Sequence, residues 1–101
     1  MVFVIEYHEK VRKDLIKLRM NAKQLQKRKK KIEEIARNPY PKGQGGLGEP
    51  LKSNLRGLMK FRFDNDYRVV YRIVEEAGIM RIIVIGLRAD KVVYHEADKR
   101  K

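Results

Sequence analysis

The spacing of apolar and polar residues changes period along the chain, and each period predicts an element. Val2 to Tyr7 is a short apolar run with β-branched members, which predicts a strand, and His8 and Glu9 break it. From there Val11, Leu15 and Leu18 recur at the i, i+4, i+7 spacing of one helical face, while Arg12, Lys13, Asp14 and Lys17 point elsewhere. An amphipathic helix ending near Met20 follows. Asn21 is a candidate cap for a second helix carrying a thin apolar stripe of Leu25, Ile32, Ile35 and Ala36. Asn38-Pro39-Tyr40-Pro41 stops that helix, because proline lacks an amide donor and restricts the residue before it. All three prolines and the glycines Gly43, Gly45, Gly46 and Gly48 fall between Pro39 and Pro50, which reads as loop.

The second half has a period of two. Met59, Phe61 and Phe63 share one face of a strand and Lys60 and Arg62 the other. A turn signal at Asp64-Asn65-Asp66 leads into Tyr67 to Val74, which alternates again with Arg68 and Arg72 on one face, so the pair is a hairpin. After Glu75-Glu76-Ala77-Gly78, the Ile82-Ile83-Val84-Ile85 run is apolar on both faces, as a strand buried between neighbours requires. The tail from Ala89 is polar and predicts a short helix in its second half. The expected fold is α+β: a small two-layer arrangement in which an antiparallel-rich twisted sheet, the N-terminal strand plus a three-strand C-terminal meander, packs against two N-terminal helices. Residues 1–101 then form a single domain, and no internal repeat divides them.

Charge narrows the function. The 101 residues carry 25 Lys+Arg against 13 Asp+Glu, a net charge of +12, which points to a polyanionic partner, most simply nucleic acid. With no cysteine and two histidines there is no disulfide framework, thiol nucleophile or cysteine-ligated metal, so neither metal nor cofactor is expected. No apolar run is long enough to span a membrane, and the start lacks a secretory pattern, so a soluble, cytoplasmic protein without membrane association is expected.

Two groups of cations could meet that partner. Lys60, Arg62, Arg68 and Arg72 fall on the hairpin face opposite the apolar one, and Gly86-Leu87-Arg88 would bring another guanidinium to the same sheet, with Tyr94 and His95 shortly after. Guanidinium forks suit phosphate oxygens and a tyrosine ring suits an unpaired base. The plainer reading of such a face is a solvated outer surface. The second group, Lys23, Lys27, Arg28, Lys29, Lys30 and Lys31, covers a helical segment without one acid, so i, i+4 pairs cannot balance it locally. Contact with ribosomal RNA phosphates is the reading that density favours, and the same surface would attract an acidic protein.

The run from Glu49-Pro50-Leu51-Lys52 to Met59-Lys60-Phe61-Arg62-Phe63, then Tyr67-Arg68-Val69-Val70-Tyr71, Ile85-Gly86-Leu87-Arg88 and Val93-Tyr94-His95-Glu96-Ala97 resembles the RelE/ParE superfamily of type II toxin–antitoxin toxins. The likeness extends over nearly the whole chain. It implies one of two activities: RelE-type toxins enter the ribosomal A site and cut mRNA, whereas ParE-type toxins act on DNA gyrase without the nuclease residues. The RelE-type set falls on Lys60, Arg62, Arg68, Arg88 and Tyr94, so the resemblance favours an endoribonuclease, an mRNA interferase that needs no metal. A ParE-like gyrase inhibitor and a non-catalytic RNA-binding protein are the alternatives.

The implied chemistry is attack of a ribose 2′-hydroxyl on its own phosphate, leaving a 2′,3′-cyclic phosphate and a 5′-hydroxyl. Where the family commonly has a second lysine this chain has Arg62, which leaves Lys60 as the strand residue able to act as base, since arginine stays charged. Arg62 and Arg68 would hold the phosphate oxygens, Arg88 the leaving 5′ oxygen and Tyr94 the nucleotide. His95 is a further candidate, because some nuclease branches use a histidine near the C-terminus. The implied partners are ribosome, mRNA and a cognate antitoxin, in a toxin–antitoxin hetero-oligomer.

Overall fold

The apolar stripe of the hairpin organises the core of the computed structural model, which describes residues 2–87 and 92–101. In chain order the elements are β1 (Val4–Tyr7), α1 (Val11–Leu18), α2 (Ala22–Arg37), β2 (Glu49–Pro50), β3 (Met59–Phe63), β4 (Tyr67–Val74), β5 (Ile79–Leu87) and α3 (Val92–Arg100), with 3-10 turns at Lys42–Gln44, Ser53–Leu55 and Glu75–Ala77. The five strands form one sheet in the order β1-β5-β4-β3-β2, with β1 parallel to β5 and the other pairs antiparallel. This is the expected α+β arrangement.

One face of the sheet carries Phe61, Phe63, Tyr67, Val69, Tyr71, Met80, Ile82 and Ile85, buried against Val11, Ile32, Ile35 and Ala36 of α1 and α2. On the other face α3 lays Val93 and Ala97 over Val70, Ile83 and Val84, with Leu55 and Leu58 alongside. A register shift at Val70/Tyr71 leaves Ile83 unmatched between the Val70↔Val84 and Tyr71↔Ile82 pairs, so the consecutive Ile83 and Val84 both serve the second cluster. The unbroken apolar run of β5 is thus explained by cover on both faces. The tail helix, whose place the sequence leaves open, supplies that cover.

Local signals match the elements with two differences. Asn21 caps α2 as expected, and Gln24 completes the box: Asn21 Oδ1 accepts from the Gln24 amide at 2.8 Å and Gln24 Oε1 from the Asn21 amide at 3.1 Å. Helix α1 ends at Leu18 instead of near Met20, because Arg19 turns into the left-handed region at φ 50°. The stretch between Pro39 and Pro50 is not wholly loop. Its last two residues form β2, paired with β3 through Glu49↔Lys60 and Pro50↔Met59, an edge strand too short to show a period. Among the described residues no helix is long and apolar enough to cross a membrane.

Strand β1 ends opposite Ile82, so the outer edge of β5 beyond it has no strand partner among the described residues. Two charged side chains stand in for one. Asp14 Oδ2 accepts from the Ile85 amide at 3.2 Å, Arg100 Nη1 donates to the Ile83 carbonyl at 3.0 Å, and the two join as a fork at 2.7 and 2.9 Å. Their side chains are only 13% and 6% exposed, so the pair is a buried tie between α1, β5 and α3. The Asp14 carboxylate raises the pKa of the Arg100 guanidinium further above its usual value, first through that hydrogen bond. Asp14→Ala leaves the Ile85 amide unpaired and Arg100 with Glu96, 3.4 Å from its Nε, in place of the fork, and a loss of about 1–3 kcal/mol is expected in urea denaturation. The apolar pair Asp14→Leu with Arg100→Met should lose less than either single truncation.

Candidate active site

Strands β3 and β4 carry the cations, and the turn between them sets their register. Asp64 and Asn65 take φ 51° and 53°, conformations that these residue types tolerate better than most. Phe63 and Tyr67 then pair across the strands with rings stacked 4.9 Å apart, which locks the hairpin on its helix-facing side. The preceding pair is Arg62↔Arg68, on the opposite face. Arg68 is only 9% exposed, and its Nη1 donates to the Asn65 and Tyr67 carbonyls at 3.0 Å each. Its guanidinium is therefore held by the turn, with other N–H groups left to bind. Lys60, Phe61, Arg62, Arg68 and Glu49 line a cleft of about 110 Å³. Two guanidiniums and an ammonium that close repel one another, which an anion between them relieves.

Glu49 is the member that sequence reasoning missed. Its carboxylate lies 3.8 Å from Lys60 Nζ and 3.5 Å from Lys42 Nζ. The only sequence signal was its place before Pro50 at the end of a glycine-rich stretch, and the strand pairing that brings it beside Lys60 joins residues eleven apart. The cleft thus holds a proton acceptor among its cations.

Tyr94 approaches Lys60 from α3, beside the cleft and not in its lining. Lys60 Nζ sits 5.7 Å from the centroid of its ring, within cation–π range. This approach depends on Gly86, the β5 partner of Arg68: a Cβ there would lie 2.9 Å from the Val93 Cβ, so any larger residue would push α3 outward. His95 is exposed and does not line the cleft. Arg88 lies outside the described residues.

The remaining expected cations do not all converge. Arg72 lines a separate cleft of about 280 Å³ with Arg56, Gly57, Leu58 and Lys101, so it leaves the hairpin group. On α2, Lys27, Lys30 and Lys31 share a groove, as their helical spacing requires, and Lys23 is exposed. Arg28 turns the other way, into a hollow with Tyr7, His8, Val11 and Leu15. It does not join the lysine face, because a neighbour in sequence is rotated by about 100° around a helix.

Comparison with known proteins identifies the family and the fold. The model of the "ParE toxin of type II toxin-antitoxin system, parDE" family matches residues 5–92. The chain belongs to the RelE/ParE toxin superfamily. Among curated members, the mRNA interferase toxin RelE of Escherichia coli K12 is 28% identical over 102 residues, covering 99% of this chain and 98% of its own. A doubly substituted E. coli RelE toxin in the free state superposes with a TM-score of 0.77 at 24% identity, covering 99% of this chain and 98% of its own. The RelBE2 toxin–antitoxin complex of Mycobacterium tuberculosis gives 0.63 at 26% identity, with 89% and 95% covered. The superfamily fold therefore extends over the chain, tail helix included. Because the packing of Val93 on Gly86 sets where Tyr94 stands, Gly86→Ala should cost about 1–3 kcal/mol of stability and speed amide hydrogen exchange in α3 more than in α2.

Proposed function

We propose that this superfamily member is a ribosome-dependent endoribonuclease that cuts mRNA in the A site, and that its action arrests translation. The observation that carries the reading is one cleft holding Lys60, Arg62, Arg68 and Glu49, with the Tyr94 ring over Lys60. The naming of its 28% identical E. coli relative as an mRNA interferase supports the same reading. A phosphate seated between Arg62 and Arg68 would gain charge-assisted hydrogen bonds, strongest when a fifth oxygen adds negative charge in the transition state. The message's 2′ oxygen attacks that phosphorus and the bond to the 5′ oxygen breaks, which leaves a 2′,3′-cyclic phosphate and a 5′-hydroxyl.

The proton of the 2′-hydroxyl passes to the Glu49–Lys60 pair. Sequence alone offered Lys60 as base, but the carboxylate 3.8 Å away favours its charged form, so Glu49 takes the proton and the Lys60 ammonium steadies the negative charge that develops. Tyr94 orients the nucleotide by stacking. Arg88, on the strength of the resemblance, steadies the departing 5′ oxygen, which takes its proton through water. His95 has a subsidiary place in this scheme, since it stands exposed outside the cleft. No step calls for a metal ion.

So small a cleft grips one phosphate, and the ribosome supplies the rest of the substrate's placement, in the cytoplasm where translation runs. The basic surface of Lys23, Lys27, Lys30 and Lys31, together with Arg28 and Arg72 on their separate faces, contributes RNA contacts. A cognate antitoxin of acidic character would neutralise the toxin by covering these cations in a hetero-oligomer; that the 26% identical RelBE2 toxin of M. tuberculosis was solved as a complex with an antitoxin supports such a partner. In a translation reaction followed by primer extension, Glu49→Gln and Lys60→Ala should each lower A-site cleavage by about 100-fold or more while ribosome association changes by less than about tenfold. No A-site cleavage by the wild type, with gyrase supercoiling inhibited instead, would sink the nuclease reading.

A further inference from the structure

The two groups of cations are joined at a single residue. Arg62 lines the reaction cleft with Lys60, Arg68 and Glu49, and it also lines a groove of about 430 Å³ with Lys27, Lys30, Lys31, Glu34, Phe63, Asp64 and Asn65. The groove crosses the outer edge of β3. Strand β2 pairs only with Met59 and Lys60, so beyond Lys60 that edge has no strand neighbour among the described residues. A chain leaving the cleft over Arg62 crosses no further strand among the described residues, and Arg62 shares the next groove with the lysines of α2.

The groove has the charge for a polyanion. Four cations line it against the two carboxylates Glu34 and Asp64. Both carboxylates are engaged: Asp64 lies 3.4 Å from Lys27 Nζ and Glu34 3.8 Å from Lys31 Nζ. Lys30 has no acidic partner within 4 Å among the described residues, and Arg62 has none either. The surface is open and shallow, which suits a flexible single strand better than a rigid duplex or a small molecule.

We infer that the α2 groove holds the phosphodiester next to the one being cut, on the same RNA strand, so that Lys27, Lys30 and Lys31 bind substrate and Arg62 bridges two successive phosphates. The inference rests on the endoribonuclease reading and sharpens it: the α2 lysines hold the message, in place of the ribosomal RNA that their density alone suggested. A flanking phosphate fixed there would limit how the ribose of the scissile nucleotide can rotate. The groove thus contributes to aligning the 2′ oxygen as well as to affinity.

The test uses ribosome-bound synthetic messages, each with one neutral methylphosphonate at a position flanking the cut, and the full-length protein. It compares the wild type with Lys27→Gln/Lys30→Gln/Lys31→Gln, and with Lys10→Gln/Lys13→Gln/Lys17→Gln on α1 as a control of equal charge change. Circular dichroism melts check that each variant is folded. On the unmodified message the groove variant should cut roughly three- to tenfold more slowly in kcat/KM. Neutralising one flanking phosphate should slow the wild type and the α1 control by a similar factor and add little to the groove variant. If the groove variant is slowed yet remains as sensitive as the wild type at every flanking position, the lysines hold something other than the message and the inference fails while the nuclease reading stands. An unslowed groove variant overturns it equally. Absence of cleavage by the wild type removes the nuclease reading and this inference with it.

Discussion

The fork between Asp14 and Arg100 does the work that a longer β1 would otherwise do. A strand edge buried beneath a helix must find partners for its amides and carbonyls, and here the Ile85 amide and the Ile83 carbonyl find them in these two side chains. One carboxylate and one guanidinium so fasten the first helix and the last to the same strand. The consequence reaches the cleft, because α3 carries both Arg100 and Tyr94 and is held close by Val93 on Gly86. A tie of this kind contributes less to net stability than its geometry suggests, since both charges give up water. Its value lies in fixing where a helix sits.

The same economy explains which parts of the molecule were legible in sequence. Met59, Phe61 and Phe63 alternate with Lys60 and Arg62, and a period of two leaves one assignment of faces open. Val11, Leu15 and Leu18 likewise define one side of α1. Asn21 announced the start of α2, and the β5 run announced a strand covered on both faces. What those patterns could not carry was contact across distance. Glu49 entered the cleft through a strand of two residues, too short for any periodicity. Arg100 and Asp14 are eighty-six residues apart, and nothing near either one marks the other.

Faces were legible, whereas positions along a face were not. Arg68 and Arg72 do lie on one side of β4, as alternation required, yet α3 crosses that side and Arg72 lines a different cleft from Arg68. A twisted sheet also carries residues four apart in diverging directions. Arg28 shows the helical version: it belongs to the lysine run in sequence and to a different surface in space. A count of cations in a window overstates how many can act together: the cleft of Arg72 stands apart, and the α2 groove meets the hairpin cleft only at Arg62.

Among the described residues Glu49 is the one carboxylate lining the hairpin cleft, and in a cleft that cuts RNA its presence would set affinity against reactivity. A purely cationic cleft would bind phosphate more tightly, because each like-charged neighbour adds attraction for the anion and none competes for the lysine. Glu49 weakens that attraction by engaging Lys60 at 3.8 Å. A cleft selected only to grip RNA has no use for such a residue, whereas transesterification cannot proceed until the 2′ oxygen loses its proton to some base. Arginine cannot serve, since it does not become neutral at physiological pH. The carboxylate beside the lysine therefore favours catalysis over passive binding, at the cost of grip on a single phosphate. On the proposed reading the ribosome and the α2 groove would offset that loss, so a small protein could keep a few cations at the cleft and more of them outside it.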